Sequence, residues 1–256
     1  MNELMGILAI WYREFKVFLR EKSRIVASTI NPILWLLVFG GGLGSSIRIS
    51  GMNYQTFIFP GILAQVVIFT SIFFGVYIVW DRKIDFLKEV LVAPISRTSI
   101  FIGKVIGGAT DSMIQVLILL VIGWVLGATG FIPGLHLTIL SILVSMVILF
   151  ITTTSLVSIG LIVGSQMESM EGFQLITSFL LFPLFFLSGA LFPINNLPAW
   201  LEPLTLADPL TYSVDALRKV ILGNSNFSLP LDLSIIILVM VLMILIGTFA
   251  FKRMKV

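Results

Sequence analysis

Six apolar stretches, each close to the roughly 20 residues that a helix needs to cross a bilayer, dominate this chain. They run from Ile25 to Leu43, Phe57 to Val79, about Ile100 to Leu126, Leu137 to Val163, Phe173 to Phe192 and Leu233 to Phe251. The expected fold class is therefore an all-α integral membrane protein with six transmembrane helices. Composition agrees: the 256 residues are 58% hydrophobic and only 11% charged, outside the range of soluble domains. The chain has no cysteine and a single histidine, His136, which excludes a disulfide framework, a thiolate metal site and most histidine chemistry.

The basic residues give a direction. Of the 16 Lys and Arg, only Arg48, Arg218 and Lys219 fall in the segments on one side, and the rest, including Lys252, Arg253 and Lys255, fall on the other. The positive-inside rule then places both termini in the cytoplasm, for a multi-pass protein of the cytoplasmic membrane. The first residues lack a basic region ahead of their apolar stretch and a small-residue cleavage site, so no cleaved signal peptide is expected.

Two segments are amphipathic and too polar to span. In residues 1–24, Leu4, Ile7, Leu8, Trp11, Phe15 and Phe18 share one helical face, with Arg13, Glu14, Lys16, Arg20, Glu21 and Arg24 largely opposite. Such a helix lies in the membrane interface, as an anchor or as a surface that also touches a cytoplasmic subunit. The second segment, DRKIDFLKEVLVAPISR, carries six charges in residues 81–89. Ile84, Leu87 and Leu91 fall on one face, Pro94 stops the helix and Ser96 can cap the next. The segment is either a solvated loop helix or a docking helix whose apolar ridge enters a groove of a partner.

No Walker A loop is present: the nearest approach, Ile102-Gly103-Lys104-Val105, has Thr98 in place of the first glycine and Val105 in place of Ser/Thr. Ion-driven transport predicts several buried ionisable residues, and intramembrane proteolysis a Ser/His or two-Asp dyad. Asp111 is the one carboxylate within a span and His136 sits at a span end. Asp111 must pair or face a cavity; with Thr152 and Ser155 it is a candidate for a transport path. The stripe Ser141, Ser145, Thr152 and Ser155 serves such a path or glues helices together. Gly103/Gly107, Gly123/Gly127 and Gly160/Gly164 favour close helix packing.

Residues 187–224 form a second unusual region. Pro193, Pro198, Pro203 and Pro209 break the fifth span and punctuate short helices, with Trp200 and Tyr212 as interface-belt residues. Short helices dipping back into the membrane, or an amphipathic surface loop, both fit.

DRKIDFLKEVLVAPISRTSIFIGK (81–104) and FFLSGALFPINNLPAWLEPLTLADPLTYSVDALR (185–218) resemble the two motif regions of type 2 ABC exporter permeases, in the drug and antibiotic (daunorubicin-resistance-like) branch. The resemblance implies a connecting helix over 1–24 (Trp11, Arg13, Phe15, Phe18, Arg20) and a six-span domain over 25–256. Within that domain it implies a coupling helix over 81–94 that meets a separate ATPase through Ile84, Phe86, Leu87, Glu89, Leu91 and Pro94. It implies an outer gate over 194–223, framed by Gly189, Pro193, Pro198, Trp200, Pro209, Tyr212 and Arg218. Ile84-Asp85 departs from the Gly-Thr pair common in relatives. The partners implied are two cytoplasmic ATPase copies, a second and identical permease chain, and lipid, with no nucleic acid. ATP and Mg would sit on the ATPase, leaving no cofactor and no catalytic residue here, and a hydrophobic or amphipathic substrate would move outward. A lipid-linked polysaccharide or glycolipid exporter, and a non-transporting scaffold, are the alternatives. With the ridge Ile84, Leu87 and Leu91 facing the partner, Leu87→Asp is expected to uncouple the two without unfolding the permease.

Overall fold

A computed structural model describes residues 3–44, 47–49 and 51–254. Lys255, counted above among the cytoplasmic charges, and the first two residues of the N-terminal helix lie outside them. Among the described residues the regular structure is helical apart from one small hairpin, β1 (Arg48–Ile49) against β2 (Met52–Asn53), in register Arg48↔Asn53 and Ile49↔Met52. Helix α1 (Glu3–Arg20) breaks at Glu21 and is followed by α2 (Lys22–Trp35), a π-helical stretch Leu36–Gly40 and α3 (Gly41–Gly44), so the first span starts at Lys22 rather than after residue 24. Then come α4 (Tyr54–Phe73), α5 (Val76–Lys83), α6 (Phe86–Val92), α7 (Arg97–Ala128), α8 (Ile139–Gln166) and α9 (Met170–Leu187). A 3-10 turn Ile194–Asn196, α10 (Glu202–Ala207), α11 (Pro209–Leu222) and α12 (Leu229–Arg253) complete the order.

Among the described residues, six helical segments are long and apolar enough to cross a membrane: Lys22–Gly44, Tyr54–Lys83, Arg97–Ala128, Ile139–Gln166, Met170–Leu187 and Leu229–Arg253. Side-chain caps set several of their starts. Asn53 accepts from Gln55 N, Ser96 from Ser99 N and Ser169 from Gly172 N, while Thr138 and Ser141 form a reciprocal capping box. The fifth span stops at Leu187, short of the expected Phe192. Gly189 there adopts φ +69, a left-handed conformation that ends a helix and that side-chain-bearing residues resist.

The second span is the hub, with 78% of its most apolar stretch buried, against 11% for the sixth. One core gathers Ile58, Ile62, Leu63 and Val67 of α4 with Val116, Leu120, Leu149, Leu156 and Leu217. A second core, at the end of the molecule that carries α1, α6 and the end of α12, gathers Ile10, Phe74, Ile78, Leu87, Val90, Phe101 and Phe251. We call that end the terminal side and the opposite end, with α10 and α11, the far side. Outward, α12 presents Leu238, Val241, Leu245 and Phe249, and α9 presents Leu175, Phe179 and Phe182, as hydrocarbon contact requires.

Where the second and fourth spans cross, glycines bring the backbones together. A Cβ on Gly160 would strike the carbonyl of Ile72, one on Gly75 the carbonyl of Gly160, and one on Gly164 the carbonyl of Gly75. Backbone cannot yield as a side chain can, so bulk here drives the helices apart. Gly160→Val should cost about 1–3 kcal/mol or more, seen as a lower thermal midpoint of the purified protein. Gly41→Ala, where a Cβ meets nothing within 4 Å, should leave that midpoint in place.

Candidate functional site

The terminal side is held by four charges, three of which (Arg13, Glu14 and Asp81) lie in segments that the sequence reads as polar. Lys104, on α7 two turns inside the third span and 1% exposed, reaches Glu14 Oε1 of α1 and Asp81 Oδ2 of α5, each at 2.8 Å. Arg13 closes the ring, with Nη2 to Asp81 Oδ1 at 2.6 Å and Nη1 to Glu14 Oε1 at 2.8 Å. The two cations and two carboxylates cancel, and each buried group has hydrogen-bonded partners, as burial of charge demands. The glycines of α7 make room for this approach: a Cβ on Gly103 would meet Ile10, and one on Gly107 would meet Glu14. The expectation that Glu14 faces away from the buried side of α1 is therefore corrected, since Gly6, Ile10, Glu14 and Phe18 are the buried positions. Of the other connecting-helix residues, Trp11 donates from Nε1 to Thr110 Oγ1 at 3.0 Å and stacks on Phe15, while Arg20 stays exposed. Leu4, Met5, Leu8 and Tyr12 remain exposed.

Ring and short helix are joined, because the Arg13 guanidinium lies 4.1 Å from the Phe86 ring centre. The short helix is Phe86–Val92; Asp81 to Lys83 belong to the end of the second span, and Asp85 between them takes φ 58. That left-handed residue turns the chain and changes which face looks inward. Leu87, expected on the outward ridge, is 1% exposed and packs with Val90 in the terminal-side core, with half-buried Leu91 against it. The outward surface is instead Ile84, Lys88, Glu89, Val92 (85% exposed) and Pro94, with Trp80 beside it. Leu87→Asp would thus bury a charge in the core, and the expectation that it uncouples without unfolding is withdrawn. Arg97 Nη1 donates to Met254 O at 2.7 Å, tying the end of α12 to the same side.

The three pathway candidates are all occupied inside the chain. Asp111 stands 3.0 Å from Arg24 Nη2 and accepts from Gln115 Nε2 at 2.9 Å, while Arg24 also donates to the Tyr77 hydroxyl. Thr152 shares a 2.7 Å hydrogen bond with Ser213 of α11, and Ser155 bonds back to Thr152 O. Ser145 is fully buried, with no partner for its hydroxyl among the described residues. Of the stripe, Thr152 bonds to another helix, while Ser141 and Ser155 bond within their own helix and its cap.

On the far side the prolines punctuate as expected. Pro193 precedes the 3-10 turn, Pro198 starts the turn that carries exposed Trp200, and Pro209 opens α11 behind its cap Asp208, which accepts from Leu210 N at 2.9 Å. The buried helix α11 is pinned three ways: Tyr212 donates to Leu206 O at 2.8 Å, Arg218 Nη2 to Gly189 O at 2.5 Å, and the Arg218 guanidinium lies 4.0 Å from the Phe57 ring centre. Burial pushes the Asp208 carboxyl up to about 7, partly opposed by the Leu210 N–H, and pushes Arg218 down to about 10, partly opposed by Asp215. On α1 burial works against the Arg13 charge, yet the hydrogen bond to Asp81 and the charge of Glu14 leave its pKa raised. The role of Asp81, Glu14 and Lys104 escaped the sequence reading, although a lysine inside a span beside two glycines was a usable signal.

Removing one member of a buried pair strands the other. Lys104→Met should therefore destabilise the purified protein by about 3–5 kcal/mol, with part of the loss recovered in Lys104→Met/Glu14→Gln. Breaking the exposed Lys88–Asp85 pair, 2.7 Å apart, should change stability by less than about 1 kcal/mol in the same denaturation assay.

Residues 5–222 match the ABC-2 type transporter family. The ycf38 protein of Cyanophora paradoxa, named as a transport permease, is 30% identical over 210 residues, covering 79% of this chain and 70% of its own. Nodulation protein J of Rhizobium leguminosarum bv. viciae is 24% identical over 250 residues, covering 96% of this chain and 93% of its own. The inner membrane transport permease YadH of Escherichia coli K12 is 27% identical over 243 residues, covering 88% and 86%. The chain belongs to the ABC-2 type transporter family, membrane-spanning permeases that work with a partnering ATP-binding subunit.

Proposed function

We propose that this chain moves a hydrophobic or amphipathic substrate outward across the cytoplasmic membrane, driven by ATP hydrolysis on two copies of a separate subunit. A second, identical permease chain completes the complex. The terminal side is cytoplasmic in this reading, because it collects the Lys and Arg excess, and α1 lies in the interface with Leu4, Met5 and Leu8 toward lipid. The far-side helices over 194–223 form the outer gate. Asp111 serves as a structural tie to Arg24.

The observation that carries the proposal is the outward surface of Ile84, Glu89 and Val92. It is exposed and partly apolar, yet its helix is anchored from behind by Leu87 and Val90 and clamped through Phe86 to the buried charge ring. A helix both exposed and rigidly backed can receive a push and pass it on, whereas a solvated loop helix needs no such backing. Closure of two ATP-binding subunits would press this surface and shift the second and third spans together.

The natural absence of cysteine allows a direct test. A single Val92→Cys should cross-link to the partner ATP-binding subunit, and Val92→Asp should lower permease-dependent ATPase stimulation at least about tenfold while the chain still inserts and folds. Unchanged stimulation in Val92→Asp would overturn the docking assignment. Stimulation without transport in vesicles would favour a scaffold.

A further inference from the structure

We propose that Asp232, at the start of α12, is a proton-binding site, and that α11 and α12 part only as this proton is released to the far side. The coupling to helix separation rests on the reading of residues 194–223 as an outer gate; the proton site itself does not.

Asp232 lies in the first turn of α12 and is 0% exposed. Neither oxygen of its carboxyl group has a hydrogen-bond partner among the described residues. An ionised carboxylate left in this way is among the most expensive groups a fold can bury, and a proton removes the charge without any further ligand. A metal ion needs several ligands together, and among the described residues no three His, Asp or Glu side chains converge to hold one.

The surroundings add charge of the same sign. Asp208, Tyr212 and Asp215 succeed one another on one face of α11, at i, i+4 and i+7, and that face looks toward Asp232. The Asp215 carboxylate acts on Asp232, while burial, and then the charges of Asp232 and Asp208, hold the Tyr212 hydroxyl above its ordinary value. Asp215 is spent on its own loop, accepting from Asn226 N and Nδ2 at 2.9 Å and from Phe227 N at 2.8 Å. Asp208 has a second oxygen that is buried without a partner among the described residues, and burial pushes its carboxyl up to about 7.

No cation offsets these carboxyls. Arg218, the buried cation of α11, is turned to Gly189 O and the Phe57 ring, and Lys219 and Glu202 are exposed. Of the other helices packed against α11 and α12, α8 has no titratable side chain and α4 brings only Tyr54, which donates to Leu191 O. Arg97, Lys104 and Asp111 lie in the terminal-side half of α7, and Glu171 at the terminal-side end of α9.

The same burial controls the proton. Both Asp232 oxygens are cut off from solvent, so the proton exchanges only when α11 and α12 separate, and separation lets the exposed group ionise. Acid on the far side therefore holds the two helices together, and each pH unit over which the proton is lost favours separation by up to about tenfold.

The test places the full chain in phosphatidylcholine nanodiscs at about pH 6, where an ordinary aspartate, titrating near 4, is ionised. Infrared difference spectra should show the carbonyl band of a protonated carboxyl group that is absent in Asp232→Asn. The folded chain holds a proton that the unfolded chain has shed, so this stability is lost as pH rises. Between about pH 5 and about pH 9 the thermal midpoint should fall at least about 3 °C further in the parent chain than in Asp232→Asn or Asp232→Leu, and Glu202→Gln should follow the parent. An ionised Asp232 at pH 6, or a lower midpoint in both Asp232 variants at every pH, would overturn the site. With the ATP-binding subunit bound, trapping ATP should abolish the Asp232 band, and a band that persists would overturn the coupling. The resting spectrum needs no partner, so it reports on the proton whether or not the docking at Val92 holds.

Discussion

The ring formed by Arg13, Glu14, Asp81 and Lys104 is the constraint on which the terminal side depends. Each charge is expensive to bury alone, and their compensation fixes the register of three separate elements: α1, the end of the second span and the start of the third. Apolar packing alone would leave α1 free to slide along α7 in steps of one turn. The charges oppose that sliding, because a shift of one turn would part Glu14 from Lys104 and Arg13 from Asp81, breaking the two buried links that α1 makes to the spans. Gly103 and Gly107 belong to the same device, since only their missing side chains let α1 come close enough.

From this ring a stiff path leads across the bilayer. The second span carries Asp81 at one end and crosses the fourth span through backbone contacts at Gly75, Gly160 and Gly164. The fourth span meets α11 through Thr152 and Ser213, and α11 is held on the far side by Arg218, Tyr212 and Asp215. Close backbone contact and satisfied polar pairs leave few alternative packings, so displacement at one end is transmitted rather than absorbed. The soft points lie elsewhere, at the π-helical stretch Leu36–Gly40 beside Pro32 in the first span and at the far-side prolines.

The spans were legible in the sequence because in a bilayer the length of an apolar run determines the helix almost by itself. Caps such as Ser96, Thr138 and Ser169 were equally open to reading, whereas the fifth span ends at Leu187, before the expected Phe192, because Gly189 takes a left-handed conformation. The charges were not. Asp81 and Glu14 lie in segments rich in exposed Lys and Arg, and helical spacing tells which residues share a face but not which face is covered. Leu87 shows the same limit: its spacing with Ile84 and Leu91 suggested an outward ridge, until the left-handed turn at Asp85 set the short helix with Leu87 and Val90 inward. Lys104 was the one visible clue, because a lysine inside a span must have a carboxylate beside it. On the far side, the role of Asp215 depends on a loop eleven residues away and no local pattern announces it.

The central claim is that α1, α6 and the start of the third span move as one block, locked by the buried ring. The most direct measurement places spin labels at Tyr12→Cys on α1 and Val92→Cys on α6, both exposed, in one copy of the cysteine-free chain assembled with its ATP-binding partner. Pulsed electron resonance then gives the distance between them with and without trapped ATP. A locked block predicts the same distance distribution in both states, and a shift or broadening once Lys104 is replaced by Met. A distance that changes with ATP while Lys104 is intact would show that α6 moves independently of α1, and would contradict the claim.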